Sequence, residues 1–416
     1  MFYRHLPALS PVPGLALPRL IAQAAGYGAD PRAVLRAQLM RRYQADGCSL
    51  WSSGTHALQT ALTIAKQSGS APILLPAYTC YEVATAAVGA HVVVALYDVD
   101  PLTLEPDWES VRAAASAGAR ALVVTPLFGM PFDWEAARRT ADEMGALLIA
   151  DVAQAHGTEW RGQPAGTHAD LTILSFGRGK GWTGAGGGAL LWRGKNTNGQ
   201  VDATQQSRSA IQEAKSVARA ATQYVFGRPL LYGIPASVPF LHLGETVYHE
   251  PTVPTAMTRT SAALLLMAER VATAEVSHRR RTAEAYKRWL AETDHDVDVM
   301  IGARLNQESG ALRFPVLVKG GWSQVRESAA PRLGAAPGYP TTLREIDALQ
   351  PLLTNVSTKF TGAETLAREL VTLPTHSQTA ERDRRRAFEI VCVGRAKHRL
   401  LPVAPVRQNR RLEQRA

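Results

Sequence analysis

Between residues 71 and 192 short apolar runs alternate with longer stretches in which apolar residues recur at helical intervals. The runs at 71–75, 91–97, 119–125 and 146–150 read as strands, and the stretches 79–88, 108–117 and 133–145 between them as helices. Such alternation builds a mainly parallel sheet with helices on both faces, joined by right-handed crossovers. Two more strands, 171–175 and 188–192, bracket a glycine-rich loop.

Upstream, residues 1–30 are rich in Pro and Gly and lack a clear period, while 31–43 is an amphipathic helix opening on Pro31. A short strand from Cys48 then turns through Ser53-Gly54-Thr55 into a helix. Downstream the register breaks. A polar segment (196–206) and a helix (208–224) lead to 226–244, where Pro229, Pro235 and Pro239 preclude a continuous helix and suggest a covering loop. The pattern at 258–290 predicts one long helix. An α+β remainder follows, with a strand at 311–318 and helices near 343–352, 363–369 and 380–391.

Composition adds limits. A chain of 416 residues, 46% hydrophobic and 20% charged, has the make-up of an ordinary globular protein of two or three domains. It has no apolar run long enough to span a bilayer and no signal-peptide layout at its start, so a cytoplasmic protein is expected. Three cysteines, Cys48, Cys80 and Cys392, are too few and scattered for a disulfide framework or a zinc site. The formal charge is +10, and residues 395–416 hold seven basic residues against one acid, a net +6. That tail reads as a solvated, flexible end, not a nucleic-acid site, and the overall charge suits a small anionic substrate.

The candidate chemistry lies in the glycine loop. Gly177, Gly179 and Gly181 surround Lys180, and glycine permits positive φ and close backbone approach to a ligand. A lysine held in such a turn can lose its proton and attack a carbonyl. About thirty residues earlier the apolar strand 146–150 runs onto Asp151, and open α/β sheets bind ligands at the carboxyl ends of their strands. A strand-end acid followed by a glycine-embedded lysine is what pyridoxal phosphate requires: the carboxylate keeps the pyridine nitrogen protonated, and the lysine holds the cofactor as an imine. Ser53-Gly54-Thr55 at a helix start can bind a phosphate, or can be a plain capping turn.

Taken in order, these stretches resemble the DegT/DnrJ/EryC1/StrS family of pyridoxal-phosphate-dependent aminotransferases over nearly the whole chain. Ser53-Gly54-Thr55 is similar to the family's phosphate turn, and Pro76-Ala-Tyr-Thr79 to the segment opening the helix beneath the cofactor. Asp98-Val-Asp100 and Leu127-Phe-Gly129 match later landmarks. Asp151-Val-Ala-Gln154 and Ser175-Phe-Gly-Arg-Gly-Lys180 match the cofactor blocks, and Leu373-Pro-Thr-His376 the closing motif. The resemblance implies fold type I, an α/β fold with a large mainly parallel-sheet domain and a small C-terminal α+β domain. It divides the chain into a leading segment and helix (1–46), a large cofactor domain (47–257), a small domain with its linking helix (258–394) and the basic tail (395–416). Lys180 would form the imine and shuttle a proton, and Asp151 would pair with the pyridinium nitrogen. Gln154 would meet the ring hydroxyl side, and Ser175 with Ser53, Gly54 and Thr55 would hold the phosphate. The implied substrates are glutamate or a similar amino donor and a keto-sugar, most often nucleotide-linked, in making a polysaccharide or a glycosylated metabolite. A homodimer is implied as well.

The chain departs from the pattern in places. Cys80 stands where the family has an aromatic ring cover, leaving that role open among Tyr78, Cys80 and Tyr81. Pro254-Thr-Ala-Met257 replaces the segment whose asparagine reaches the phosphate across the dimer, so Arg178 is expected to neutralise the phosphate. Gly186 replaces a common glutamate. Two rival readings are a dehydratase, whose relatives carry histidine at the lysine position, and a non-catalytic scaffold.

Overall fold

The computed structural model describes residues 3–14, 16–67, 71–194, 209–236, 246–292 and 301–393. The tail 395–416, the polar segment 196–206 and residues 237–244 of the proline-rich stretch lie outside them. Two helices lead, α1 (Ala16–Ala25) and α2 (Pro31–Tyr43). The Asp30 carboxylate caps α2 by accepting from the Arg32 N–H at 3.0 Å, and Pro31 occupies the first turn, where its missing N–H costs nothing.

β1 (Gly47–Trp51), α3 (Gly54–Gln67), β2 (Ile73–Pro76), α4 (Tyr81–Ala90), β3 (Val94–Tyr97), α5 (Trp108–Ala114), β4 (Ala121–Val124), α6 (Trp134–Glu143) and β5 (Leu147–Asp151) follow. After a small hairpin, β6 (Glu159–Trp160) and β7 (Gln163–Pro164), come β8 (Leu171–Ser175) and β9 (Gly188–Trp192). The seven long strands form one sheet in the order β1-β9-β8-β5-β4-β2-β3, with β9 antiparallel to both neighbours. The β2, β3, β4, β5 and β8 pairings are parallel. Alternate side chains serve opposite faces. Leu75, Val123 and Ile149 enter one buried cluster, and Leu74, Leu122 and Leu148 enter another. Burial on both faces is why these strands read as continuous apolar runs.

Beyond the sheet lie α7 (Ala210–Phe226), α8 (Pro229–Ala236) and the long α9 (Arg259–Ala291). A second, antiparallel sheet in the order β10-β12-β11 is made from β10 (Arg313–Leu317), β11 (Ala336–Pro337) and β12 (Leu370–Pro374). α10 (Gly321–Val325), α11 (Thr361–Glu369) and α12 (Glu381–Phe388) complete this part. Asp98, at the end of β3, joins the two sheets: its carboxylate accepts from the Gly362 and Ala363 N–H groups at 2.9 and 2.8 Å, satisfying orphan donors of α11. The expected α/β class, with its large mainly parallel sheet and smaller α+β part, is the class observed.

Four local expectations give way. Residues 1–30 contain α1, whose Pro18 falls in the first turn, where no N–H is needed. Part of the expected covering loop is α8, which opens on Pro229 and ends one residue after Pro235. Residues 343–352 are two short 3₁₀ turns, Leu343–Glu345 and Gln350–Leu352, because Pro351 interrupts an α-helix there. β12 was hidden because it lies against the preceding helix without a break.

Candidate active site

Three strand ends converge at the carboxyl edge of the sheet. β5 delivers Asp151, β8 delivers Ser175, and the loop returning into β9 carries Lys180, with Ser175 facing Gly188 in register. The loop needs its glycines unequally. Gly179 and Gly181 have φ of +78 and +82, whereas Gly177 stays in the ordinary range. A Cβ on Gly181 would also meet Arg279 Nη1 at 2.7 Å, and its N–H donates to Ser10 Oγ at 2.9 Å. Backbone geometry and packing therefore both fix the lysine turn.

Lys180, Asp151, Gln154, Ser175, Gly54 and Thr55 line one cleft of about 510 Å³, together with Cys80 and Glu82. Burial pushes the Asp151 carboxyl above its ordinary range, although the Lys180 charge and the Ala153 N–H pull it back. That N–H donates to Asp151 Oδ1 at 3.1 Å. Burial likewise raises the Cys80 thiol, against the pull of Lys180. Gln154 is held at both ends: Oε1 accepts from the Phe128 N–H at 3.1 Å, and Nε2 donates to the Tyr339 hydroxyl.

At the start of α3 a Cβ on Gly54 would sit 2.6 Å from the Ser175 Cβ, so only glycine lets the helix end approach β8. The first-turn N–H groups there suit a phosphate. The Thr55 hydroxyl donates to the Glu82 carboxylate, a negative group on the cleft wall that the sequence reading did not anticipate. A half-buried acid facing a lysine and a glycine-cleared helix end fit pyridoxal phosphate. Glu82 is the one discordant member.

Three expected cofactor contacts lie off this wall. Ser53 Oγ accepts from the His56 N–H at 3.0 Å as a cap of α3. Tyr81 points toward the second sheet, its hydroxyl accepting from the Thr341 N–H at 3.0 Å, and Tyr78 does the same for Tyr339 at 2.8 Å. Of Tyr78, Cys80 and Tyr81, the candidates for covering the ring, Cys80 alone lines the cleft. Arg178 lines a neighbouring cavity of about 1030 Å³ and not the cleft containing Gly54, Thr55 and Ser175. The two cavities share Gln154 and Lys180.

Sequence reasoning missed much of that second cavity. Tyr339 and Arg313 come from the small sheet and its loop, and Leu6, Pro7 and Ala8 come from a leading strap. His5 anchors the strap, with its N–H donating to the Arg332 carbonyl at 2.9 Å and its Nε2 3.0 Å from Asp383. His376 Nε2 donates to the Leu6 carbonyl at 2.8 Å. Nothing in the strap's sequence signals these contacts. The departures have visible consequences too. Pro254–Met257 lies against β1, with Ser52 N–H donating to Thr255 O at 2.8 Å and Met257 N–H to Leu50 O at 3.1 Å. Gly186 has φ +139, which a glutamate would adopt only under strain. Among the described residues no helix is long and apolar enough to cross a membrane, and no His, Cys, Asp and Glu cluster could hold a metal ion.

Known proteins share this architecture. The chain resembles the L-glutamine:2-deoxy-scyllo-inosose aminotransferase of Streptomyces kanamyceticus, at 35% identity over 144 residues, 35% of this chain and 34% of that protein. The match therefore spans about a third of that relative's length. Among solved structures, Spr1654 from Streptococcus pneumoniae in its PLP form superposes with a TM-score of 0.71 at 17% identity, over 93% of this chain and 97% of that one. DesI, solved with its TDP-sugar product, gives 0.67 at 19% identity over 94% and 92%. These likenesses concern the fold. The sequence model of the DegT/DnrJ/EryC1/StrS aminotransferase family matches residues 37–391, and the chain belongs to that family.

Proposed function

We propose that this protein is a pyridoxal-phosphate-dependent aminotransferase that carries an amino group from glutamine or glutamate to the ketone of a sugar or sugar-like ring. The observation that carries the reading is the meeting of Lys180 and Asp151 in one cleft, beside the glycine-cleared start of α3. Family membership and the glutamine-using relative support it. When bound, the cofactor supplies an electron sink for the donor Cα. Lys180 Nζ would hold it covalently and, once displaced, move the proton at the donor Cα. Asp151, which lines the cleft, would keep the pyridine nitrogen protonated. Gln154, fixed by Phe128 and Tyr339, would orient the ring hydroxyl side. Ser175, Gly54 and Thr55 would bind the phosphate.

The acceptor is read as a keto-sugar, nucleotide-linked as in DesI or free as the name of the Streptomyces kanamyceticus relative indicates. The enzyme is read as a homodimer. Purified protein should turn yellow with pyridoxal phosphate, and borohydride should fix the cofactor on the Lys180 peptide. L-Glutamine should then bleach the colour. A protein that takes up no cofactor, or whose colour no amino acid changes, would overturn the reading and favour the scaffold.

A further inference from the structure

Arg313 is a buried cation without a counter-ion. It sits at the start of β10, 9% exposed, and its Nη2 donates to the carbonyls of Gly334 and Thr372 at 3.2 and 3.0 Å. Those two bonds hold the guanidinium in place while Nε makes none. The titratable side chains that act on it are Tyr232, Tyr286 and Tyr339, and no carboxylate among the described residues faces it. Burial lowers its pKa to about 10, so the group stays charged at neutral pH. Burying a charge without a partner costs several kcal/mol by general estimate. A ligand anion would offset that cost.

The position matters as much as the charge. Arg313 lines the second cavity, which Lys180 and Gln154 also line. Arg178, exposed and without an ion pair among the described residues, lines the same cavity. Arg279 makes a useful contrast. It too is buried, but its charge is balanced by Glu275, its Nη2 donates to the His156 carbonyl, and it lines neither described cavity.

We propose that Arg313 is the anchor for a carboxylate of the amino donor, which enters through the second cavity with its amine toward Lys180. With Nη2 already donating to two carbonyls, Nη1 is the nitrogen left to donate to a carboxylate oxygen, a charge-assisted hydrogen bond. The proposal rests on the aminotransferase reading for the identity of the ligand, though not for the existence of the anion site.

The test titrates parent and Arg313→Gln protein with glutarate, a dicarboxylate that has no amine to react, by calorimetry with and without pyridoxal phosphate. Parent protein should bind glutarate and the variant about ten- to hundredfold more weakly, the span expected for a hydrogen bond between charged groups. Neutral glutaramide should bind neither, and thymidine diphosphate should bind both alike. The KM for L-glutamine should rise with little change in the acceptor KM. Equal glutarate affinity in both proteins would overturn the proposal, as would a variant that loses thymidine diphosphate instead. Should Arg313→Gln fail to fold, competition in the parent decides: glutarate that does not compete with L-glutamine refutes the assignment. Failure of the aminotransferase reading would look different, as absent cofactor colour with glutarate binding intact.

Discussion

The Thr55 hydroxyl donates to the Glu82 carboxylate, tying the first turn of α3 to the first turn of α4 on the wall of the cleft. Two helix N-termini meet there, and their exposed N–H groups attract an anion. Glu82, also 3.4 Å from His249, supplies that anion from within the chain. A phosphate entering the same place would meet a like charge and an occupied hydroxyl. Glu82→Gln keeps a hydrogen-bond acceptor for Thr55 and removes the charge. It should bind inorganic phosphate and pyridoxal phosphate roughly three- to tenfold more tightly, a modest effect because the site is partly open to solvent. The gain should shrink in high salt. Equal affinities at low salt would show that Glu82 turns aside without cost.

Asp151 carries the opposite kind of penalty. Burial raises its carboxyl above the ordinary range, so the folded chain holds this proton more tightly than the unfolded one. Its stability contribution is therefore greatest below the ordinary carboxylate range and is lost as pH rises through the raised folded value. Asp151→Asn should raise the thermal midpoint of cofactor-free protein at pH 7.5, and the gain should vanish as the pH falls through the carboxylate range. The same variant should hold pyridoxal phosphate more weakly. A midpoint unchanged at pH 7.5 would mean that Lys180 already compensates the buried charge.

Glu213 shows how a buried acid can stabilise instead. From α7 it accepts the Arg259 and Thr260 N–H groups at 2.8 and 3.0 Å and the Thr260 hydroxyl at 2.6 Å, so it caps the start of α9 from outside. Glu213→Ala would orphan these donors at a cost of about 2 kcal/mol. Calorimetry should show a midpoint lower by several degrees, with Glu213→Gln in between. A silent alanine variant would mean that water replaces the cap.

What the sequence made legible follows from the range of the forces involved. Leu171–Ser175, Gly188–Trp192 and Pro31–Tyr43 were bounded correctly because local signals mark their ends: a glycine loop, and a proline behind an aspartate cap. Lys180, Asp151 and Gln154 come to one cleft because Asp151 ends β5, Gln154 follows it, and Lys180 follows β8, the strand beside β5. Arg313, Tyr339 and Glu82 were not found, since an arginine in a strand looks alike whether it faces water or a cavity. What sets it apart is the absence of a carboxylate partner in space, which no spacing records. Arg178 lies two residues before Lys180, yet of the two cavities it lines the second alone whereas Lys180 lines both.

His376 offers the sharpest pH test. Its Nε2–H donates to the Leu6 carbonyl, which fixes the tautomer and leaves Nδ1 buried without a partner. Burial, helped by His5, Arg313 and His278, pushes its pKa down to about 3, and the Leu6 carbonyl pulls the other way. The folded chain therefore keeps this ring neutral under conditions in which an unfolded chain protonates it. The stability involved is present above the ordinary histidine value and drains away as pH falls toward the depressed one. Between pH 6.5 and 5 the loss should reach about 2 kcal/mol, at about 1.4 kcal/mol per pH unit for one proton. His376→Gln retains an N–H for Leu6 and cannot titrate, so its urea midpoint should stay nearly level over the range where the parent's falls. His376→Leu should also free the strap, exposing the leading residues to proteolysis and raising the KM of substrates that use the second cavity. If parent and His376→Gln lost stability in parallel, the acid sensitivity would belong to other groups, with the His5–Asp383 pair beside the strap the next to substitute.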